Sequence, residues 1–151
     1  MVRRYFSRQA QKMVLQINEP PMEAHIDKPL SECKVAFLTT AGVHLKSQEP
    51  FETEKGDPTY RIIPGDINYN DLMITHTHYN HQEADKDINV VFPLEILQEF
   101  AVEGIIGAVA PRNFGMMGYI PMVNMLRNKV APQIADILVE DQVDILLMSP
   151  G

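Results

Sequence analysis

Three short apolar runs do most to constrain what this chain can become. VAFL within KVAFLTTAG (34–42), IIGAVAP (105–111) and DILLM within VDILLMSPG (143–151) carry apolar residues at successive positions rather than at every second one. A strand with one wet face alternates. A strand apolar on both faces is buried on both, as in a parallel sheet covered by helices. Helical periods lie between these runs. In FPLEILQEFAVEG (92–104), Pro93 suits the first helical position, Leu94, Leu97 and Ala101 keep period, and Gly104 suits the residue just past the end. In IPMVNMLRNKVAPQIADILVED (120–141), Met122, Leu126, Val130, Ile134 and Leu138 recur every fourth position, and Pro132 should kink or split the helix.

Strand–helix–strand–helix–strand material predicts a three-layer α/β fold, a mainly parallel sheet with helices on both faces, Rossmann- or flavodoxin-like. The helix that should follow the last strand is expected to be missing. Two further strands are expected in YRIIPGD and in DLMIT, with a long polar loop in VHLKSQEPFETEKGDPT and another loop in APRNFGMMGYIP (110–121). Residues 1–17 place Tyr5, Phe6, Met13 and Ile17 on one helical face, and residues 18–32 carry three prolines. The expected division is therefore an N-terminal helix and extended connector over 1–32, then an α/β domain over 33–151.

The totals narrow the function. With 151 residues the chain is one domain by size, and 45% hydrophobic with 22% charged residues is ordinary for a globular protein. A net charge of −7 argues against nucleic acid as a partner. Cys33 is the single cysteine, which excludes an internal disulfide and a cysteine-based zinc site. There is no apolar run long enough to span a bilayer and no signal-peptide pattern at the start, so a cytoplasmic protein is expected.

In open α/β sheets, ligands bind at the carboxyl ends of the strands, and the candidate residues gather at such ends. THTHYNH (75–81) holds His76, His78 and His81 just past a strand. Their spacing resembles that of metal-dependent hydrolases, because imidazoles on such a turn can converge on one cation. No histidine follows His81, and Asn80 stands where an aspartate ligand would be needed. A substrate or subunit pocket lined by these rings is the other reading, and surface or packing histidines the third. Thr40 and Gly42 lie at the tip of the first strand, where backbone N–H groups can hold an anion, with His44 and Glu49 shortly after. Arg112 suits a carboxylate clamp, and Gly115 and Gly118 allow close backbone approach.

Taken together, KVAFLTTAGVHLKSQEPF, EKGDPTYRIIPGD, THTHYNH, DKDINVVFPLEIL, EGIIGAVAPRNFGMMGYIP and VDILLMSPG resemble, in this order, the N-terminal half of selenoprotein B of the glycine, sarcosine, betaine and D-proline reductases. The resemblance covers about residues 33–151. It implies reductive cleavage of an α-carbon–nitrogen bond in amino-acid fermentation. A selenocysteine would follow Gly151, and the substrate would be carried on a pyruvoyl group of a partner subunit. The chain itself would hold no cofactor. It would stop before its nucleophile, through a UGA codon read as stop, through a cut there or as a naturally short member, and would be inactive alone. A homo-oligomer working with a pyruvoyl-containing reductase subunit on a small amino acid is implied. The expected roles are polar positioning or proton transfer for His44, Glu49 and His78, and substrate contact for Thr40, Gly42, His76, His81, Arg112 and Gly151. Two other functions stay open: a metal-dependent hydrolase built on His76, His78 and His81, and a non-catalytic docking domain.

Overall fold

A computed structural model describes residues 24–150. The helix expected over 1–17, the first part of the connector and Gly151 lie outside the described residues. The strand β1 (Lys34–Thr39) is the axis of the fold. Along one edge it pairs in parallel with β7 (Ile145–Ser149), from Val35↔Ile145 to Thr39↔Ser149. Its other edge is shared by β5 (Ala108–Val109) and β6 (Arg112–Met116), both parallel to it. The antiparallel strand β3 (Tyr60–Pro64) pairs with β6. A separate antiparallel pair, β2 (Val43–Leu45) and β4 (Leu72–Ile74), completes the strands among the described residues.

β5 and β6 are one strand interrupted. From Val35↔Val109 to Leu38↔Phe114, β1 advances three residues while its neighbour advances five. Two extra residues make a bulge there. The buried side chain of Asn113 fills the gap. Its Oδ1 accepts the Phe37 N–H (2.8 Å) and its Nδ2 donates to the Ala110 carbonyl (3.0 Å). The strand IIGAVAP is therefore shorter than expected, and half of the expected loop 110–121 is β6. Pro111, Arg112 and Asn113 broke the apolar run because each serves the bulge or the sheet end rather than the core.

The period of β1 divides the core in two. Val35 and Phe37 pack with Phe92, Leu94 and Leu97, which brings helix α2 (Leu94–Val102) onto one face. Leu38 packs with Phe114, Met116, Val130 and Ile134, which brings helix α4 (Ala131–Glu140) onto the other. These are the three layers the sequence predicts. Burying each such side chain contributes about 1.5–3 kcal/mol. The helices α1 (Gln82–Lys86) and α3 (Val123–Met125) are short.

Two prolines shape the longer helices. Pro132 lacks the N–H that would bond back four residues, and the chain widens into a π turn over Leu126–Val130 before α4 begins. Pro93 sits one position earlier than expected, as the residue before α2, with no side-chain cap of its own. Tyr69 takes over that duty. Its hydroxyl accepts the N–H groups of Leu94 and Glu95 (3.0 Å) and donates to the Phe92 carbonyl. Burial pushes its phenol up to about 12. Gly104, with φ +72°, closes the C-terminal end as the sequence suggests.

The chain passes from β1 to β5 by way of α2 on one face. It passes from β6 to β7, across β1, by way of α4 on the other. The two routes diverge at the carboxyl ends of β1 and β6, the switch point where open α/β sheets form a crevice. Replacing Tyr69 by Phe leaves two helix N–H groups without their acceptor, so unfolding in urea should show a loss of about 1–3 kcal/mol. An unchanged midpoint would contradict the capping role.

Candidate functional site at the sheet rim

Four chain segments meet at the carboxyl ends of the strands. β1 runs into Thr40-Ala41-Gly42, β4 into Thr75-His76-Thr77-His78, and β6 into Met117-Gly118-Tyr119, while β7 ends at Ser149. Backbone bonds join them: Thr40 N–H to the Ser149 carbonyl (3.0 Å), Gly42 N–H to Met116 (2.8 Å) and Thr75 N–H to Gly42 (2.9 Å). The Tyr79 hydroxyl donates to the Ala41 carbonyl (3.0 Å), and the Ser149 hydroxyl contacts Thr39 Oγ1 (3.2 Å) and the Val91 carbonyl (2.9 Å). Gly42 has φ +81°, and a Cβ there would stand 2.3 Å from the Thr75 carbonyl oxygen. Its role is therefore the tight join of two loops, with its side buried.

His76 lies at the centre of this rim and is only 7% exposed. Its Nδ1 faces the His78 N–H (3.0 Å) and its Nε2 faces the Gly118 N–H (3.3 Å). Burial lowers its pKa, and the nearby His78 and His81 lower it further. His78 stacks on Tyr119 with ring centroids 4.3 Å apart and planes at 26°. His81 stands at the start of α1 and contacts Asp85 Oδ2 through Nδ1 (2.8 Å). Tyr79 packs edge-on against both His76 (4.7 Å) and His81 (5.6 Å), so its ring lies between them.

His44 is fully buried in the small sheet beside the rim. Its Nδ1 must donate to the Leu45 carbonyl (2.8 Å), which leaves Nε2 to accept from the Thr75 hydroxyl (2.8 Å). Burial lowers its pKa, outweighing the bond to Leu45, with Arg61 adding to the depression. A neutral His44 thus fixes the residue before His76 and has no free nitrogen for proton transfer.

The remaining candidates fall elsewhere. Glu49 is exposed on the loop after β2, and its carbonyl accepts from Arg61 Nε (2.9 Å). Arg112 begins β6, at the end of the sheet opposite the rim. Its guanidinium already grips Asp141 through two bonds (2.8 and 2.6 Å) and Glu140 through a third (2.8 Å). That pairing holds Asp141 below the usual carboxylate range. The correction follows from β6: with residues 112–116 in the sheet, the rim loop begins at Met117, not at Ala110. Gly118, which the sequence already marks for close backbone approach, and Tyr119 therefore take the place proposed for Arg112. Among the described residues, no three histidine, cysteine or acidic groups converge as a cation site. The hydrolase arrangement of His76, His78 and His81 is not formed.

Because His44 and His76 titrate below their ordinary value of 6.5, the unfolded chain takes up protons first on acidification. Their contribution to stability is present above pH 6.5 and lost as pH falls toward the folded values. The depressed aspartates Asp57, Asp141 and Asp144 act lower, below their ordinary 3.8. Stability to urea should therefore fall as pH drops below 6.5, with a shallower slope in His44→Gln. An identical slope in that variant would contradict the burial argument.

The sequence matches the glycine/sarcosine/betaine reductase selenoprotein B family over residues 11–150. It is 38% identical over 135 residues to D-proline reductase subunit gamma of Acetoanaerobium sticklandii, an alignment covering 89% of this chain and 55% of that protein. The chain thus spans about half the length of the curated relative it matches. No solved structure matches it. No described helix is long and apolar enough to cross a membrane. By the extent of the family match and the identity to this relative, the chain belongs to the glycine/sarcosine/betaine reductase selenoprotein B family.

Proposed function

We propose that this chain forms the substrate-facing part of a selenium-dependent reductase subunit. The subunit would cleave the α-carbon–nitrogen bond of glycine, sarcosine, betaine, D-proline or a related amino acid. The observation that carries this reading is the meeting of four strand ends at the switch point of a family member, around the buried His76. In the net reaction two electrons and two protons enter. The α-carbon gains a hydrogen and the nitrogen leaves as an amine, or stays tethered where it belongs to a ring. Thiols oxidised to a disulfide supply the electrons.

A selenol carried beyond β7 would supply the nucleophile, because selenols, like low-pKa thiols, are ionised at neutral pH, and a pyruvoyl group on a partner subunit would carry the substrate. Ser149, held by Thr39 and Val91, fixes where the chain leaves β7 at the rim. Thr40, His76 and Gly118 come together at this rim, with His78 stacked on Tyr119 and His81 packed against Tyr79 beside them. His44 acts as a positioning residue through Thr75.

The test uses the complete subunit assembled with its partner. His76→Phe keeps an aromatic ring in the site and deletes both nitrogens, and should lower kcat/KM about a hundredfold or more. Arg112→Gln should lower thermal stability and leave kcat/KM within about threefold of the parent. Unchanged kcat/KM in His76→Phe would overturn the placement of the site.

A further inference from the structure

Helix α2 buries one face and leaves the other without a partner among the described residues. Leu94, Leu97 and Ala101 pack toward the core. On the outward face Glu95, Glu99 and Glu103 form a ridge at four-residue spacing. The helical rotation places apolar side chains along both flanks of that ridge. Val102, 90% exposed, lies on one side, and Ile96 (42%) and Phe100 (37%) lie on the other. Like charges one turn apart repel, and Glu103, at the C-cap, stands at the negative end of the helix dipole. The last turn holds no basic residue, and every ion pair among the described residues lies elsewhere. Such a face matches a segment that mixes cations with apolar side chains.

The chain carries such a segment. Residues 1–17 hold Arg3, Arg4, Arg8 and Lys12 among Tyr5, Phe6, Met13 and Ile17, with no Asp or Glu, in a protein of net charge −7. The described chain starts at the end of the sheet where α2 finishes. The N–H groups of Gly107 and Ala108, shortly after α2, bond the Cys33 carbonyl (2.9 and 3.3 Å), and Lys28 pairs with Asp144 just before β7 (2.7 Å). The nine residues of α2 span about 13 Å. Residues 18–23 allow a reach of about 20 Å. A connector of that reach, starting at this end, brings residues 1–17 back along the helix.

We propose that residues 1–17 dock on the outer face of α2 in the same chain. Their arginines meet the Glu95–Glu99–Glu103 ridge, and their apolar side chains lie beside Val102, Ile96 and Phe100. Docking relieves the repulsion along the ridge and covers the apolar flanks together. Guanidinium groups suit this face, since each grips a carboxylate while its stem lies on apolar neighbours. Exposed ion pairs contribute little singly, so the apolar contacts share the energy, and salt loosens the segment.

The test uses this chain with Ser7→Cys carrying a nitroxide label, while Cys33, fully buried, stays in place. In 15N NMR spectra at low ionic strength, the amides of Glu99, Val102 and Glu103 should lose intensity and regain it when the nitroxide is reduced. Glu99→Lys with Glu103→Lys should abolish that loss. Adding Arg4→Glu and Arg8→Glu to this variant should restore it, an outcome that a damaged helix could not give. Undiminished α2 amides in the labelled parent would overturn the proposal and leave the face to a different protein. A loss that survives the two glutamate reversals would overturn it too. So would a loss that vanishes when the labelled protein is diluted into unlabelled protein, which would assign the face to a second copy.

Discussion

The backbone N–H of Phe37 lies in the dry middle of the sheet, where an unpaired donor would be costly, and the side chain of Asn113 satisfies it. The rest of the architecture follows from that bond. Because an amide side chain stands in for a ladder partner, the neighbour of β1 can carry two extra residues and still run parallel to it. β6 is thereby displaced along β1, its register with β3 is set from Arg112 to Met116, and its carboxyl end arrives beside that of β1. Had β5 continued without the bulge, Gly118 and Tyr119 would not face Thr40 and His76.

The two ends of the sheet do different work. At the amino end, charged groups neutralise one another: Arg112 with Asp141 and Glu140, and Lys28 with Asp144, whose Oδ2 also accepts the Lys34 N–H. These pairs fix where α4 hands over to β7. At the carboxyl end the polar groups are histidines, tyrosines, hydroxyls and backbone N–H groups, with His81 against the Asp85 carboxylate.

Much of this was legible in the sequence. Apolar runs on both faces gave the parallel sheet, the fourfold spacing gave the covering helix, and the histidines after β4 marked the rim. What escaped was tertiary. Asn113 and Arg112 read as loop residues because their partners lie in distant segments, at Phe37 and Asp141. His44 read as a catalytic candidate because the sequence does not reveal that both its nitrogens are occupied. The metal-like spacing of His76, His78 and His81 was real in sequence and void in space, since Tyr79 and backbone N–H groups hold the rings apart. Tyr69, which no sequence pattern singled out, caps α2.

The central claim is that substrate sits at the switch-point rim, on the carboxyl side of β1 and β6. The most direct measurement is an experimental structure of the complete reductase with a substrate analogue bound. The account predicts the analogue beside Thr40, His76 and Gly118. An analogue bound at the opposite end of the sheet, near Lys34 and Asp144, or seated on a surface formed without this rim, would contradict it.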